Sequence, residues 1–543
     1  MSTKPLDRIF ENVATAISSQ GVRLGFAIRM SDRTLLVDPI TTMPSHSREF
    51  VAWACKHGID DIFAHADPKS IATYVRTRAK SHKVLLIDRP GLHVIEQKKT
   101  KTLSHLFIFG GEVYVLSGPK PKRKVVVSGA AAMVPTSAGN PMAVHELLKR
   151  LCAEHPKVLV TTCAALSAPL RRVCAEPSTT LVLTGPSSTV KSGVQRAIMA
   201  TMGPPDLVGS NGTKGGIEEA LEDHPDLPVF IDDAQPGRDT FDLARLLMVA
   251  GNNAARRRSR HFSAAPEPRP IEATPIISSN DWLKRHVGGE VPGQVKARAF
   301  ELSSEGGMCS RSSDIKEFAS QIYGTILSNY GCDTMARWLS GIQTNRHRIA
   351  EIRQSKTAEL EGLIAAAAEW DGDDPVHQRV LQRLAFMAFC GYVALRTRFW
   401  EVSKNQIVAA FGTAFREFLD REPPPEAVRD AELCDEVAAM IEQNRARFIG
   451  LDRFHDPDPP ANLLGYLDDC GGRPCFLFIA PLFRRTVEEK LGPNVYEALQ
   501  RGGFLLASKG RGYRLQKRVP GTKGKRIKDF IAIAADIRSR PRD

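Results

Sequence analysis

Short apolar runs alternate with stretches of helical periodicity in the middle of the chain, and each run ends in polar residues. The runs, each with the polar residues that follow it, are Thr180–Leu183 before Thr184–Ser192, Pro228–Ile231 before Asp232-Asp233, and Thr274–Ile277 before Ser278–Asp281. Strands that alternate with helices predict a parallel α/β sheet. The carboxyl ends of such strands form its site.

The flanking regions have different patterns. Residues 1–128 mix strand and helix patterns, which predicts an accessory α+β domain. Residues 310–425 are mostly helical, and their longest apolar run, Leu384–Leu395, has 12 residues, fewer than the ~20 that span a bilayer. After a proline-rich boundary, helices precede Arg- and Gly-rich hairpins, a pattern typical of a winged helix. We therefore predict four domains: residues 1–128, 129–309, 310–425 and 426–543.

Charge is concentrated in a few places. The 543 residues include 74 Lys+Arg and 61 Asp+Glu, a net charge of +13, which favours a polyanionic partner such as nucleic acid. Residues 501–543 carry most of the excess, and Arg256–Arg260 forms another cluster. The start of the chain has no signal-peptide pattern, and the cysteines are scattered. We therefore expect a cytoplasmic protein without membrane contact.

The segment Gly185–Ser192 resembles the P-loop consensus G-x-x-x-x-G-K-[ST]. Lys191 would reach the β- and γ-phosphates, and Ser192 would ligate Mg²⁺. Val190 replaces the second consensus glycine, and a β-branched residue restricts the backbone there. The predicted cofactors are ATP and Mg²⁺, and the predicted nucleotide-binding residues are Gly185, Ser187, Ser188, Thr189, Val190, Lys191 and Ser192.

Two carboxylates end the second apolar run. This position is typical of a Walker B motif, in which Asp232 would join Ser192 as a metal ligand and Asp233 would polarise the attacking water. Glutamate is usual at the second position, and aspartate is one methylene shorter. An acidic turn is the alternative interpretation of the pair.

Further motifs follow in a recognisable order: Asn211–Thr213, Gly216–Ala220, Phe230–Asp233, Ala250–Arg256, Ile277–Asp281 and Gly293–Arg298. With the loop, they resemble a helicase-like family of phages, plasmids and other mobile elements, labelled a domain of unknown function (DUF927) and related to the minichromosome-maintenance AAA+ helicases. We expect the resemblance to cover roughly residues 85–535. It implies an AAA+ P-loop core in residues 129–309.

The resemblance also implies roles for single residues. Asn280 would sense the γ-phosphate, and Arg298 would be an arginine finger that reaches a neighbouring subunit's nucleotide. Arg256–Arg260 would lie on a hairpin in the DNA channel, with an exposed solvated loop as the alternative. Together with the C-terminal wing, the predicted DNA-binding residues are Arg256, Arg257, Arg258, Arg260, Arg511, Arg514, Lys517, Arg518, Lys523, Lys525 and Arg526.

These observations predict an AAA+ ATPase of helicase type, encoded by a mobile element or prophage and acting in DNA replication as a homo-oligomeric ring on single-stranded or forked DNA. Val190 and Asp233 depart from consensus at catalytic positions, so whether ATP is hydrolysed stays open. One alternative is a degenerate, non-hydrolysing AAA+ scaffold that binds DNA. Another is a transcription regulator with a winged DNA-binding domain. A nucleotide kinase is disfavoured by the large appendages.

Overall fold

The chain forms two compact units, Met1–Phe418 and Leu419–Asp543. The four-domain division stays a prediction. The computed structural model describes residues 10–17, 23–30, 33–37, 51–52, 55, 63, 67–81, 83–97, 101–209, 214–234, 243, 246–248, 271–286, 293–296, 298–305, 307–309, 314–421, 425–454, 460, 462–506, 513–518 and 527–537.

Two sheets form from the N-terminal part of the first unit. The first is mixed, in the order β3-β2-β1-β4-β8, and the second is antiparallel, in the order β5-β6-β7. A helix, Pro68–Ser81, precedes β4. The strands are β1 (Phe10–Ile17), β2 (Arg23–Met30), β3 (Arg33–Val37), β4 (Lys83–Ile87), β5 (Gly91–Gln97), β6 (Thr102–Phe109), β7 (Glu112–Ser117) and β8 (Val125–Val127).

The predicted parallel α/β sheet is present in the first unit. Its strands are β9 (Thr180–Thr184), β10 (Val208–Gly209), β11 (Pro228–Ala234), β12 (Thr274–Ser279) and β13 (Ala299–Ser303), in the order β10-β11-β12-β9-β13. Every neighbouring pair is parallel. The connection after β9 leads towards the β10 edge, whereas the connection after β12 leads to β13 on the other side. The carboxyl ends of β9 and β12 therefore flank a topological switch point, where such sheets bind ligands.

Helices cover this sheet because its central strands are apolar on both faces. All of β9 and β12 is buried. The buried side chain of Gln195 donates to the carbonyls of Ile231 (3.3 Å) and Ile276 (2.9 Å), and so joins its helix to two strands. Within the described part of this region, the helices with defined bounds are Pro141–Glu154, Pro156–Arg171, Lys191–Met199, Lys214–Asp223, Leu283–His286 and Gly293–Lys296.

Four helices follow the parallel sheet, as the helical periodicity predicts. They are Ile315–Ile326, Asp333–Ala367, Pro375–Arg396 and Lys404–Arg421. Asp374 caps the third of them, since its carboxylate accepts from the N–H groups of Val376 and His377, both at 2.9 Å. Most of the apolar run 384–395 is buried. Among the described residues, no helix combines the length and apolarity needed to cross a membrane.

A buried ion-pair cluster joins the three-stranded sheet to the amino-terminal edge of the parallel sheet. The Asp226 side chain is fully buried and accepts from the N–H of Leu92 (2.9 Å) and from Arg172 Nη1 (2.8 Å). Arg172 also pairs with Glu272, at 2.6 Å. Burial raises the pKa of Asp226, and the charge of Arg172 opposes that rise. The chain packs tightly here, since a Cβ on Gly91 would lie 2.6 Å from the Pro225 carbonyl oxygen.

The second unit has a five-stranded sheet in the order β14-β15-β16-β18-β17. Its strands are β14 (Phe448–Gly450), β15 (Gly465–Asp469), β16 (Pro474–Ile479), β17 (Leu515–Arg518) and β18 (Ile527–Ala534), and its α-helices are Pro425–Gln443, Ala480–Phe483, Glu489–Leu491 and Val495–Arg501. Two antiparallel pairs, β15 with β16 and β17 with β18, form hairpins. Phe478, Phe483 and Ile533 belong to the core between sheet and helices.

Candidate functional site

The P-loop-like segment connects β9 to the helix Lys191–Met199. Its backbone is unusual, because Ser188 (φ 67°) and Val190 (φ 66°) are both left-handed, a conformation that costs non-glycine residues energy. Gly185 has φ 132°, and a Cβ there would lie 2.6 Å from Ser304 Oγ. Ser304 Oγ is also 2.9 Å from Thr189 Oγ1. The loop is therefore held against the residues that follow β13.

Gly193 accommodates the valine that replaces the second glycine of the consensus. A Cβ on Gly193 would lie 2.6 Å from Val190 Cγ1, a distance that real Cβ atoms do not show. Because Gly193 has no side chain, the isopropyl group of Val190 fits against the first turn of the helix. The departure from the consensus at residue 190 is thus matched by a glycine three residues later.

This match predicts a coupled pair of substitutions. In a helix, glycine to alanine ordinarily stabilises by up to ~1 kcal/mol, but Gly193→Ala should destabilise the chain by about 1–3 kcal/mol through the clash with Val190. In a Val190→Gly background the same change should be neutral or stabilising. Urea unfolding of the wild type, the two single variants and the double variant gives the coupling energy between residues 190 and 193.

The control for this cycle is Gly362→Ala, because nothing lies within 4 Å of a Cβ built on that helical glycine. We expect Gly362→Ala to stabilise the chain in both backgrounds. A Gly193→Ala effect that is the same with valine and with glycine at residue 190 would contradict the proposed fit.

Lys191 is bonded to its own loop. Its Nζ donates to the carbonyl oxygens of Gly185 (2.7 Å) and Pro186 (2.8 Å), and lies 3.3 Å from Asn280 Oδ1 and 3.4 Å from Thr189 Oγ1. Burial lowers the pKa of Lys191 to about 8, against the opposing charges of Asp232 and Asp233. The lysine is therefore buried and directed into the loop.

A β-bulge at the end of β11 brings both carboxylates to the same side. Ile231 pairs with Ile277 and Ala234 with Ser279, so Asp232 and Asp233 together face a single residue of β12. Asp233 is left-handed, with φ 56°. In a regular strand, two adjacent side chains would point to opposite faces.

Hydroxyl groups surround the first carboxylate. Ser192 Oγ and Ser278 Oγ donate to Asp232 Oδ1 at 2.5 and 2.6 Å. The N–H of Asp233 donates to Ser278 Oγ at 3.0 Å. A serine hydroxyl beside a carboxylate is a donor set that fits Mg²⁺, which usually takes one or two carboxylates and completes its shell with phosphate and water. Among the described residues, no group of three or more His, Cys, Asp or Glu could hold a metal ion by itself.

Asn280 joins the loop to the second carboxylate. Its Oδ1 accepts from Lys191, and its Nδ2 donates to Asp233 Oδ1 at 3.4 Å. Residues from the ends of β9, β11 and β12 thus line one cavity of about 370 Å³. All predicted nucleotide-binding residues except Gly185 line it, together with Asp232, Asp233 and Asn280. The sequence reasoning missed Tyr323, which also lines it. No motif in the sequence marks that tyrosine.

Arg298 lies away from this cavity. Its carbonyl accepts from the N–H of Thr180 at 2.9 Å, which places it at the start of β9, whereas the loop follows the end of that strand. A strand rises about 3.3 Å per residue, so roughly 13 Å of sheet separates the two ends. The arginine is not brought together with the other predicted catalytic residues of its own chain.

The predicted DNA-binding residues are only partly described. Arg514 is exposed, Lys517 pairs with Asp468, and Arg518 ends β17. The other predicted contacts lie outside the described residues: Arg256, Arg257, Arg258, Arg260, Arg511, Lys523, Lys525 and Arg526. The motifs at 211–213 and 250–256 lie outside them as well.

Comparison with one solved structure shows a shared fold. A structure titled "SCCmec type IV Cch - active helicase" aligns with 97% of this chain and 94% of that chain at a TM-score of 0.56 and 15% identity. This likeness shows that the mixed α/β fold resembles a helicase structure. The apo A form of the NrS-1 C-terminal region aligns with 71% of this chain and 88% of that chain, at a TM-score of 0.28 and 12% identity.

Sequence comparison addresses the family directly. A search of curated proteins found no match. The family model described as "Domain of unknown function (DUF927)" matches residues 21–265. The match begins earlier and ends earlier than the predicted range of 85–535, and it contains the P-loop-like segment and both carboxylates. The chain therefore resembles the DUF927 family over residues 21–265, as its motifs predict.

Proposed function

We propose that the chain is an AAA+ ATPase of helicase type that acts on DNA in the replication of a mobile element. The convergence of Lys191, Asp232 and Asn280 on one cavity carries this proposal. These residues come from three neighbouring strand ends at a topological switch point, and their chemistry suits a triphosphate and a hard cation.

Different residues of this chain would have different roles in ATP hydrolysis. Backbone N–H groups of the loop and the start of the helix Lys191–Met199 would bind the phosphates. Lys191 would leave the loop carbonyls for the β- and γ-phosphates. Ser192 and Asp232 would hold Mg²⁺, which neutralises charge on the phosphates when bound.

Asp233 and Asn280 would act on the attacking water. Both line the cavity, and Asn280 Nδ2 orients the Asp233 carboxylate. The bulge directs Asp233 into the cavity, which supports hydrolysis although aspartate is shorter than the usual glutamate. Asp233 would take the proton of the water as a general base.

The position of Arg298 supports a ring. An arginine at the far end of β9 cannot reach the nucleotide of its own chain, but an adjacent subunit could present it to a neighbouring site. We therefore assign Arg298 as a finger that acts between subunits. Homo-oligomerisation is part of the same proposal.

The second unit is the proposed DNA-binding winged helix. Its helices pack on a sheet that ends in the hairpin β17–β18, and Arg514 and Lys528 near and on this hairpin are exposed. The charge of Lys517 is paired with Asp468, so it contributes less to phosphate binding than the sequence suggests. Arg256–Arg260 would add contacts in the first unit.

An ATPase assay with and without single-stranded DNA tests the proposal. We expect Mg²⁺-dependent phosphate release that DNA stimulates and that Lys191→Met abolishes. The matched control is Lys149→Met, which removes a lysine whose partner is Glu146 on a helix surface. DNA binding without Lys191-dependent release would instead support the non-hydrolysing scaffold, the alternative that the departures from consensus at Val190 and Asp233 raise. Particle mass measured with ATP and DNA tests the ring, and a monomer under all conditions would contradict it.

A further inference from the structure

Two exposed apolar side chains lie on the helix Ile315–Ile326 and its C-terminal end, and this helix borders the proposed phosphate site. Tyr323 is 37% exposed and Leu327 is 76% exposed. The N–H of Leu327 donates to the carbonyl of Tyr323 at 3.2 Å, so the helical spacing continues and both side chains share one face. Exposed apolar groups beside a cavity commonly mark a ligand or partner.

The two residues follow the loop in a definite order. Tyr323 lines the cavity, and its hydroxyl oxygen and Cε2 lie 3.5 and 3.7 Å from the position of a Cβ on Gly193. Leu327 does not line the cavity and lies about 6 Å, four residues, further along the helix axis. Hydrogen-bonding groups of the loop are thus adjacent to an aromatic ring, and an aliphatic side chain lies one turn from that ring on the same helix face.

This order matches the chemistry of a nucleotide from its phosphates to its base. Lys191 suits the phosphates, and Ser192 and Asp232 suit their Mg²⁺, but a triphosphate makes no use of an aromatic face. A base has two π-faces, and stacking on an aromatic side chain strengthens binding by about tenfold or more. A purine offers the larger face.

We propose that Tyr323 and Leu327 form a base-binding shelf, on which the purine of the bound nucleotide stacks. This inference rests on the proposed nucleotide-binding function. Stacking on the shelf would make the affinity for a nucleotide depend on its base, while Lys191 and the Mg²⁺ that Ser192 and Asp232 would hold determine the affinity for the phosphates.

The test compares a nucleotide with its phosphates alone, on the full chain and in the presence of Mg²⁺. Calorimetry should show that ATP binds at least about tenfold more tightly than tripolyphosphate. Tyr323→Ala should weaken ATP binding by about tenfold and change tripolyphosphate binding less than twofold. Tyr323→Phe should keep the ATP affinity, because it keeps the ring.

Controls separate the shelf from general effects. Leu327→Ala should weaken ATP binding by about threefold, whereas Leu363→Ala, which removes a 36% exposed leucine from another helix, should have no effect. The unfolding midpoint of each variant shows that it is folded.

The possible negative results distinguish failure of the base-binding shelf from failure of the proposed function. Equal affinities for ATP and tripolyphosphate would overturn the shelf and leave the proposed function intact. Binding of neither would overturn the proposed function. A Tyr323→Ala variant with changed particle mass but an unchanged ratio of the two affinities would overturn the shelf and assign this face to a second copy of the chain.

Discussion

Replacement of Asp226 by alanine is expected to lower the free energy of unfolding by about 2–4 kcal/mol, since the buried N–H of Leu92 loses its acceptor and Arg172 keeps only Glu272 as an ion-pair partner. Asp226 is fully buried and accepts from Arg172 and from the N–H of Leu92. Alanine would leave both donors without this acceptor. Urea unfolding measures the loss.

Two variants show whether the loss comes from the ion pair. Asp206→Ala removes an exposed aspartate and should change stability by less than about 0.5 kcal/mol. In an Arg172→Met background, Asp226→Ala should cost clearly less, because the ion pair between Arg172 and Asp226 is already absent. A loss below about 1 kcal/mol in the wild-type background would show that this cluster does not stabilise the junction.

The adjacent residues Asp232 and Asp233 should respond differently to the same substitution. Asp232→Asn removes the proposed metal ligand, so we expect the Mg²⁺-dependent part of the ATP affinity to be lost and turnover to fall at least about 100-fold. Asp233→Asn removes the proposed base, so ATP affinity should stay within about threefold while turnover falls by about 10²–10⁴-fold.

Each of these variants is the control for the other, since both replace aspartate by asparagine in the same bulge. ATP titrations with Mg²⁺ and with EDTA separate metal-dependent binding from binding to the loop. Equal losses of affinity in both variants would mean that the two carboxylates do not have separate roles. Full turnover in Asp233→Asn would exclude it as the base.

The strands of the parallel sheet follow directly from the sequence. The apolar runs before Thr184, Asp232 and Ser278 are all strands, because helices bury both faces of such runs. Their polar ends meet because neighbouring strands are parallel. This part of the candidate site depends on local patterns, which one sequence is enough to display.

Other parts of the site depend on contacts between distant residues or on backbone detail. The bulge at Asp232 and Asp233 arises from pairing with β12, and alternation along the strand would have separated the two carboxylates. Tyr323 reaches the cavity through the packing of its helix, and nothing in its neighbours along the chain marks it. Gly193 is visible in the sequence. That it makes room for the Val190 side chain follows only from the left-handed backbone of Val190.

The bonds of Lys191 to its own loop have a consequence for the rate at which the proposed site would bind a nucleotide. The ammonium group is bound to the carbonyls of Gly185 and Pro186, and an arriving phosphate competes with them for the same charge. Productive capture then requires the lysine to detach, a step whose rate does not depend on ligand concentration. The observed association rate would therefore reach a plateau at high nucleotide concentration, below the limit that diffusion sets.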